Sequence, residues 1–480
     1  MLITSEPSHP RQARSRGLRL LALLALVVAS IVTFAWPAAA ITAVLYVDGG
    51  NPSCSDSGSG TQTVPFCTIN QGASVATAGQ TVQVASGTYR ELVTVGHSGV
   101  AGSPIVLTAA PGATVTVRGQ ANAFKVSAKS YVTIQGFTVS GTTSYGIYVT
   151  SSSSNVTISG NTVSHTTSYG IHVNGSSNVT VSNNDVSAAG QRVSGSIKYG
   201  IKLAATTSSL VSGNVAHDNS NSGIFLDATT SGVEVTGNQA YGNARGYARA
   251  APGIDVRGHH NTIDRNVSHD NEDSGLQFYS GSHDNLVVDN LAYHNGDHGI
   301  DDLGSTHQRI ISNTVWWNYT AGINVEGSST GATVENNIAV DNGYNLSPCI
   351  TGPCNTRTRG NIRIDSTSTS GATVNDNLVS LTQSGTMYVS GSTSYSSLAA
   401  FQAASGQEAR GIQPDPRFVA AGSDFHLQAG SRAIDSANSG ISGETDTDLE
   451  SQSRVDDPAT PNIGAGSRTY DDRGAYEFQP

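Results

Sequence analysis

Charged and aromatic side chains are scarce in this chain of 480 residues, at 13% and 6% of the total. No segment shows a sustained apolar period near 3.6 residues, which argues against long helices and helical crossovers. Glycine is abundant instead, with 53 residues, and Ser, Thr, Val and Asn fill much of the rest. That mixture is typical of short strands joined by tight turns.

Basic residues are also in the minority, because 25 Lys and Arg stand against 36 Asp and Glu, a formal net charge of −11. Bulk charge therefore opposes binding to nucleic acids and to anionic membranes, and we expect neither as a partner. A polyanionic ligand would need a bound cation or a local cluster of basic residues. Beyond residue 40, no apolar run has the length that a membrane span requires.

The first forty residues have the pattern of a secretory signal peptide. Four arginines between positions 11 and 19 accompany an apolar run over 18–36, and Ala38, Ala39 and Ala40 offer a cleavage site. An uncleaved membrane anchor is the alternative, but small residues follow the apolar run directly. We expect a secreted, monomeric extracellular protein without membrane insertion after cleavage, with association to the cell surface as an alternative.

Four cysteines fit an oxidising compartment. Cys54 is close to Cys67 in the chain, and Cys349 is close to Cys354, so two local disulfides are the simplest of the three pairings. Zinc binding is the alternative, but neither pair has a His at ligand spacing. We predict that all four cysteines are structural.

Internal repetition is the strongest signal in the chain. A variable residue, then Gly, then an aliphatic residue recurs from Tyr145-Gly146-Ile147 to Ala321-Gly322-Ile323, mostly every 22 to 24 residues. Asn can adopt the left-handed backbone of a sharp turn, and its amide can hydrogen-bond to the Asn of the next coil. Two columns of Asn follow the same repeat: Asn161, Asn184, Asn214, Asn238, Asn266, Asn290, Asn313 and Asn337, then Asn219, Asn243, Asn271, Asn295, Asn318 and Asn342.

This repeat predicts an all-β fold, a right-handed parallel β-helix whose strands stack about 4.8 Å apart. The aliphatic residue after each Gly and the residue two positions further on should face the interior. Only Asp302 interrupts these inward columns. Four segments are expected: a signal peptide at 1–40, an N-terminal cap with a helix over 68–78 and a first coil at 41–95, the β-helix at 96–390, and a C-terminal cap of loops and strands at 391–480.

Two parts of the sequence resemble known families. Leu45-Tyr46-Val47-Asp48 and Gly87-Thr88-Tyr89-Arg90-Glu91 resemble the opening of secreted pectate-lyase-like β-helix proteins, including family-nine polysaccharide lyases. The tail, with Ala433-Ile434-Asp435 and Asp472-Arg473-Gly474-Ala475-Tyr476-Glu477, resembles the choice-of-anchor Q segment of bacterial surface proteins. The resemblance implies an architecture rather than one activity, because this fold hosts lyases, hydrolases, epimerases and adhesins.

Polar chemistry concentrates between residues 199 and 326, where acids, His and aromatics occupy outward positions. Arg pairs with carboxylates and Tyr stacks on sugar faces, which suits an acidic polysaccharide. Three insertions, near 188–198, 243–251 and 343–359, share one register and predict a basic wall beside an exposed face. The candidate catalytic residues are Lys202, Asp255, Arg257, His298 and Asp301, and the candidate substrate-binding residues are Arg245, Arg249, Tyr279 and Glu326.

A cluster of carboxylates within this region suggests a metal site. Asp273, Asp297, Asp301 and Asp302 fall on two adjacent rungs, and oxygen-rich clusters suit Ca²⁺. The resemblance to family-nine lyases implies the same, because those enzymes hold calcium in an aspartate cluster beside a basic residue. Ordinary turn chemistry is the alternative for an Asp before Gly. Asp302 is harder to explain in that way, because an inward charge needs a partner or an ion.

The leading hypothesis is a calcium-assisted lyase that cleaves an acidic, uronate-containing polysaccharide by β-elimination. A base removes the proton beside the uronate carboxylate while a cation offsets the developing charge. No Lys follows Lys202, so the lysine of the family has no match near the cluster. The residues that could substitute for it are Arg257, His298, His294 and His307.

Three alternatives remain open at this point. A uronate C5-epimerase begins with the same proton removal. A glycoside hydrolase needs two carboxylates beside the scissile bond, and Asp255 with either Asp301 or Asp227 offers such a pair. A non-catalytic surface or matrix protein is the third alternative, favoured by the Ser- and Thr-rich early coils and by the anchor-like tail.

Overall fold

The computed structural model consists of short strands that follow one another around a coil and stack on the equivalent strands of the next coil. It describes residues 43–190, 198–245, 251–343 and 359–480. All pairings between successive coils are parallel, so the all-β parallel solenoid predicted from the repeat is confirmed. The signal peptide, Arg249 and the pair Cys349 and Cys354 lie outside the described residues.

Three long sheets run the length of the solenoid, and each coil contributes one strand to each sheet in turn. Sheet 1 contains β1 (Val44–Val47), β2 (Thr81–Val84), β5 (Ile105–Ala109), β8 (Ser130–Gln135), β11 (Ser154–Ser159), β14 (Ser177–Ser182), β17 (Leu210–Ser212), β20 (Glu234–Thr236), β23 (Thr262–Asp264), β26 (Leu286–Val288), β29 (Arg309–Ile311), β32 (Thr333–Glu335) and β35 (Thr373–Asn375). Sheet 2 contains β3 (Gly87–Tyr89), β6 (Val115–Arg118), β9 (Thr138–Ser140), β12 (Thr162–Ser164), β15 (Asp185–Ser187), β18 (Val215–His217), β21 (Gln239–Tyr241), β24 (Val267–His269), β27 (Leu291–Tyr293), β30 (Thr314–Trp316), β33 (Ile338–Val340) and β36 (Leu378–Ser380). Sheet 3 contains β4 (Val93–Thr94), β7 (Phe124–Ser127), β10 (Ile147–Thr150), β13 (Ile171–Asn174), β16 (Ile201–Ala204), β19 (Ile224–Leu226), β22 (Ile254–Val256), β25 (Leu276–Phe278), β28 (His298–Leu303), β31 (Ala321–Glu326), β34 (Gly360–Asp365), β37 (Tyr388–Gly391) and the antiparallel β38 (Thr393–Tyr395).

The remaining elements are two short helices and one hairpin: α1 (Ile69–Val75), α2 (Leu398–Ser405), β39 (Phe418–Ala420) and β40 (Asp424–Leu427). We name the turns by the sheets they join, as the 1–2, 2–3 and 3–1 corners. In the part of the chain that the structure describes, neither helix is long and apolar enough to cross a membrane.

Apolar columns fill the interior. Ile147, Ile171 and Ile201 pair with one another on successive strands of sheet 3, and none of the three is exposed to solvent. Helix α1 lies within the segment 68–78 that was predicted to be helical, and it is shorter than that segment. Ile69 and Ala73 of α1 belong to the same apolar core, so the helix closes the first coil.

Buried amide ladders hold the corners together. Asn266 Nδ2 donates to Asn290 Oδ1 over 3.0 Å, and Asn290 Nδ2 donates to Asn313 Oδ1 over 2.9 Å. Each Asn oxygen also accepts the backbone N–H of the Asn one coil earlier. The ladder at the 1–2 corner runs through Asn161, Asn184, Asn214, Asn238, Asn266, Asn290, Asn313, Asn337 and Asn377, and the ladder at the 2–3 corner runs through Asn219, Asn243, Asn271, Asn295, Asn318, Asn342 and Asn361.

The left-handed backbone of these corners lies one residue earlier than predicted. Arg265, with φ of 54°, precedes Asn266, and Asp289, with φ of 53°, precedes Asn290. The ladder Asn is therefore selected for its amide, which both donates and accepts inside the wall. The tolerance of Asn for positive φ does not explain why Asn recurs at these positions, because the residue before it has the left-handed conformation.

Residues 391–412 close the C-terminal end of the solenoid. Tyr388 stacks on Phe401 of α2, with ring centroids 4.3 Å apart. Asn377, the last Asn at the 1–2 corner, donates to Glu408 Oε1 over 2.8 Å and through its backbone N–H to Oε2 over 3.2 Å. Burial raises the pKa of Glu408 to about 7.

The segment after residue 412 was expected to cover the same end, but the structure places it along the side of the solenoid. Arg454 Nη2 lies 2.8 Å from Asp289 Oδ1 in the turn after β26, and both side chains are buried. Phe425 of β40 packs on Tyr293 and on Trp316, with ring centroids 5.2 and 5.6 Å apart. Because these contacts form on sheet 2 and at the 1–2 corner, we call residues 413–480 the lateral strap.

The first of the two predicted disulfides is confirmed. Cys54 and Cys67 are bonded, with Cα atoms 5.0 Å apart. They fasten the loop between β1 and α1 to the N-terminal cap.

We predict that Asn290→Ala strongly destabilises the solenoid. The substitution leaves the N–H and amide of Asn266 and the carbonyl of Ile263 without their buried partners. Each such loss costs about 1–3 kcal/mol. Thermal and denaturant unfolding should show it, whereas Asn178→Gly, at an exposed left-handed position, should change stability little. Equal effects of the two substitutions would contradict a special role of the ladder.

We further predict that Glu408→Gln flattens the dependence of stability on pH. The pKa of Glu408 is raised in the folded chain, so the fold holds a proton that the unfolded chain releases. Stability from this group is complete below the unfolded pKa and falls as the pH rises to about 7. The slope is at most about 1.4 kcal/mol per pH unit. Between pH 4 and 8 the melting temperature should fall less steeply with pH in the variant than in the wild type, while Glu234→Gln, at an exposed site, should keep the wild-type slope.

Candidate functional site

The outward positions of sheet 3 form one continuous column. Asp255 pairs with Gln277, Gln277 with Asp301, and Asp301 with Asn324. Towards the N terminus the column becomes aromatic and basic, and towards the C terminus it ends in a cation. The members in order are Lys125, Tyr148, His172, Lys202, Phe225, Asp255, Gln277, Asp301, Asn324 and Arg363.

A cavity of about 240 Å³ opens over β22, β25 and β28. Four carboxylates and one guanidinium line it, together with a half-exposed tyrosine, so the acidic cluster expected from the sequence is largely assembled here. Ala251 and Pro252, which follow the second insertion, form part of its rim. The charged and aromatic lining residues are Asp255, Asp273, Asp297, Asp301, Arg257 and Tyr279.

Arg257 is held in place by two kinds of contact. Its Nε and Nη2 donate to Oδ1 and Oδ2 of Asp255 over 3.3 and 3.0 Å. Its guanidinium lies 4.6 Å from the ring centroid of Tyr279 and 5.1 Å from that of Phe225. A guanidinium stays protonated in proteins, so Arg257 supplies fixed positive charge at the edge of the acidic pocket.

Asp301 lies beneath the pocket rather than on an open surface. We expected an exposed face, but Asp301 and Asp255 are each only 2% exposed because neighbouring side chains cover them. Asp301 accepts hydrogen bonds from Gln277 Nε2 over 2.9 Å and from Asn324 Nδ2 over 2.8 Å. Burial raises the pKa of Asp301, and the nearby His298 opposes that shift.

His298 is fully buried beside this network. Its Nε2 lies 3.4 Å from Asp297 Oδ1 and 3.1 Å from Asn324 Nδ2, while its Nδ1 has no hydrogen-bond partner among the residues that the structure describes. One ligand atom each from His298, Asp301 and Glu326 lies within 4.8 Å of the others. A cation could therefore recruit His298 and Glu326 in addition to the aspartates.

Asp302 does not join the other three aspartates. It pairs with Phe278 and Val325 in an inward column, whereas Asp301 faces outward, since successive residues of a strand point to opposite faces. Inside the solenoid, Asp302 accepts hydrogen bonds from Ser305 and Ser329. Burial raises its pKa to about 7. The two serines provide the partner that the sequence did not reveal, and the predicted four-aspartate cluster is reduced to three.

Three other candidates are not among the residues that line the pocket. Lys202 also faces outward on sheet 3, but its Nζ lies over the rings of Tyr169 and Tyr199, at 4.9 and 5.6 Å. Arg245 is 3.8 Å from Asp270 at the 2–3 corner. Glu326 lies further along β31, where Arg363 Nη1 donates to its Oε2 over 2.6 Å.

Several groups weighed earlier serve local structure. Asp227 Oδ1 accepts hydrogen bonds from Thr229 and Thr230 and thereby shapes a turn. His294 packs against Trp316 at the edge of sheet 2, and His307 lies at the 3–1 corner. Asp227 is not among the residues that line the pocket with Asp255.

The three insertions leave the solenoid at one corner. Each lies between a strand of sheet 2 and the following strand of sheet 3, namely β15 and β16, β21 and β22, and β33 and β34. Their central residues, 191–197, 246–250 and 344–358, are outside the described residues. The described residues that flank all three insertions lie at the 2–3 corner, beside the start of the sheet 3 strands.

Arg363 is the residue of this site that sequence reasoning missed. It follows Asn324 in the outward column, and its Nη1 also donates to Asn324 Oδ1 over 2.5 Å. A long insertion separates the two coils, and Asn361 stands where the repeat has Gly. The sequence feature that could have identified Arg363 is the residue before it, Ile362, which continues the inward column of aliphatic residues.

Comparisons with known proteins agree with this architecture. The solved structure titled pectate lyase Pel9A is 19% identical, with a TM-score of 0.53, and the match covers 92% of this chain and 98% of that one. An alginate lyase from Paenibacillus sp. str. FPU-7 is 18% identical over 54% of this chain and 95% of its own, with a TM-score of 0.45. At these identities the likeness is one of fold.

A protein of Bacillus subtilis (strain 168) described as uncharacterized protein YwoF is 34% identical over 120 residues. That match covers 22% of this chain and only 25% of the relative. The pattern of the family described as right handed beta helix region matches residues 113–249 and 249–401, more than half of the chain. With three parallel sheets stacked coil on coil over the same residues, the chain belongs to the right-handed β-helix family.

Proposed function

We propose that this chain is an extracellular polysaccharide lyase that cleaves a uronate-containing polymer on sheet 3 with the help of Ca²⁺. The observation that carries the proposal is the pocket that Asp273, Asp297 and Asp301 line together with Arg257. The Cys54–Cys67 disulfide supports an oxidising destination. The pectate lyase Pel9A shares the fold, and its named activity supports a polyuronate as the substrate class.

Calcium suits the three aspartates because it accepts six to eight oxygen ligands in flexible geometry. Burial raises the pKa of Asp301, and the charges of Glu326 and Asp297 add to that rise, so its charged form is disfavoured without a cation. A bound Ca²⁺ would stabilise that charge and leave coordination positions on the open side of the pocket for a substrate carboxylate.

Arg257 would contact the same substrate carboxylate from the other side. Its guanidinium already lies over the ring of Tyr279, a residue that is 39% exposed and can pack on a sugar face. In β-elimination a base accepts the proton from the carbon beside the carboxylate, a carbon–carbon double bond forms, and the glycosidic oxygen departs and takes up a proton from water. Ca²⁺ and Arg257 would stabilise the charge that develops on the carboxylate during proton removal.

A row of aromatic rings extends from the pocket along the N-terminal coils of sheet 3. Ring centroids of Tyr145 and Tyr169, and of Tyr169 and Tyr199, are 5.6 Å apart, and Tyr199 stacks on Phe225 at 4.1 Å. Lys202 lies over this row. A polymer running parallel to the solenoid axis would meet aromatic edges and a cation before it reaches the acidic pocket, which supports a chain-like, anionic substrate.

A glycoside hydrolase is the second candidate, because Asp255 and Asp301 line the same pocket. They are two strands apart, about 9.6 Å at the usual strand spacing. That separation is near the upper limit for an inverting pair. The raised pKa of Asp301 would suit the general acid.

A panel of polyuronates and neutral polysaccharides, assayed for unsaturated products and for reducing ends, separates these functions. A lyase forms both products in equal amounts, and a hydrolase forms reducing ends alone. An epimerase changes the uronate stereochemistry without cleavage. We expect unsaturated products from a polyuronate; reducing ends without unsaturation would establish the hydrolase instead, and binding without any product would contradict both enzymatic proposals.

Arg257→Lys should lower kcat/KM on the polyuronate about 10²- to 10³-fold. Lysine keeps the positive charge, but it cannot form the bidentate hydrogen bonds to Asp255 or the guanidinium contact with the ring of Tyr279. Asp218→Asn is the matched control, since it lies in an exposed left-handed turn after sheet 2. Steady-state rates and melting temperatures should be measured for both variants. Full activity in Arg257→Lys would exclude Arg257 from the reaction.

Calcium should raise the melting temperature, because an ion that binds only the folded chain stabilises it, by about 2.7 kcal/mol at 100 times the dissociation constant. Asp297→Asn should abolish most of that increment. Asp302→Asn should preserve it, since Asp302 faces the interior and bonds to Ser305 and Ser329. Calorimetry with Ca²⁺ and with chelator measures both increments. An increment lost in Asp302→Asn but kept in Asp297→Asn would place the ion elsewhere.

A further inference from the structure

A second cluster of metal-ligating side chains lies at the 3–1 corner, on the opposite edge of sheet 3 from the insertions. His259 and His283 occupy the same position on successive coils and form a parallel bridge pair. The neighbouring column carries His260, Asp284 and His307 on three successive coils, each in the left-handed conformation. Four imidazoles and one carboxylate are thus presented by three adjacent turns.

The distances within this corner are short. His259 Nδ1 and His260 Nδ1 are 2.9 Å apart. The rings of His259 and His283 are parallel, with centroids 4.6 Å apart, and the ring of His260 is nearly perpendicular to both. One nitrogen from each of the three lies within 4.8 Å of the other two.

We propose that His259, His260 and His283 bind one divalent transition-metal ion of the Zn²⁺ class. Neutral imidazole nitrogens coordinate such ions at about 2.0–2.1 Å. In a tetrahedral site this places ligand nitrogens about 3.3 Å apart. The pair at 2.9 Å must open slightly, and the third nitrogen must approach by a side-chain rotation.

Asp284 supports the site from the second column. Its Oδ2 accepts a hydrogen bond from His283 Nδ1 over 2.8 Å, which leaves Nε2 of His283 as the nitrogen able to bind the ion. Carboxylate contacts of this kind fix the tautomer and raise the basicity of a metal-ligating imidazole. Asp284 Oδ1 also lies 3.5 Å from His307 Nδ1, so the same carboxylate contacts the turn of the next coil.

The corner is accessible to solvent. The side chains of His260 and His283 are 61% and 38% exposed, so an ion can enter without opening the coil.

The chemistry differs from that of the acidic pocket. Imidazole nitrogens favour transition metals, whereas the carboxylates of Asp273, Asp297 and Asp301 favour Ca²⁺. The ion at the corner would link two successive coils beside sheet 3. This inference is independent of the proposed catalytic activity.

The test is a titration of untagged, chelator-treated protein with Zn²⁺ by calorimetry, with Co²⁺ absorption spectra as a second readout. We expect one equivalent of Zn²⁺ at the corner and the visible absorption bands of nitrogen-coordinated Co²⁺. His259→Ala and His283→Ala should each lower the affinity for Zn²⁺ by at least roughly 10- to 100-fold. That is the effect of losing a residue that only hydrogen-bonds to a metal ligand, and loss of a ligand itself should cost no less. His260→Gly should do the same without backbone strain, because Gly232 and Gly331 occupy this column elsewhere.

Two controls locate the ion. His97→Ala removes an exposed histidine outside the cluster and should leave Zn²⁺ binding unchanged. His298→Gln removes the imidazole beside the acidic pocket and should also leave it unchanged. Absence of Zn²⁺ binding, or binding that survives in His259→Ala and His283→Ala but is lost in His298→Gln, overturns the proposal. Circular dichroism melting of each metal-free variant confirms that it is folded.

Discussion

The interaction on which the rest of the structure depends is the hydrogen bond between stacked asparagine amides. Each ladder Asn donates to the next coil and accepts from the previous one in a wall without access to water. A shift of one residue in any coil would break these bonds and turn the inward column outward. The ladders therefore fix the register with which one coil lies on the next.

That fixed register creates the site. Asp255, Gln277 and Asp301 lie side by side only because their coils stack without slippage, and Arg257 reaches Asp255 within the same coil. Because successive residues of a strand point to opposite faces, the adjacent acids Asp301 and Asp302 have different surroundings. Asp301 faces the pocket, while Asp302 is enclosed with two serines. The candidate site thus results from the stacking of coils, and substitutions in the outward column can change its chemistry without changing the fold.

Periodicity explains which parts of this arrangement could be predicted from the sequence. The inward columns, the Asn ladders and the outward column follow directly from the repeat, because every coil repeats the same geometry. The serine partners of Asp302 and the role of Arg363 depend on side-chain contacts that no period encodes. The path of the lateral strap was missed for a similar reason: Arg454 meets Asp289 across 165 residues of sequence, in a segment without a repeat.

The lateral strap alters how such a solenoid can come apart. A repeat array in which each coil contacts only its neighbours tends to fray from its ends, one coil after another. Here residues 413–480 bridge coils from Asp289 to Asn336, through Arg454 and through Asn438. Those coils cannot separate singly while the strap is attached, so the C-terminal half should behave as one cooperative unit. The N-terminal coils, which have no such bridge among the described contacts, are free to open stepwise.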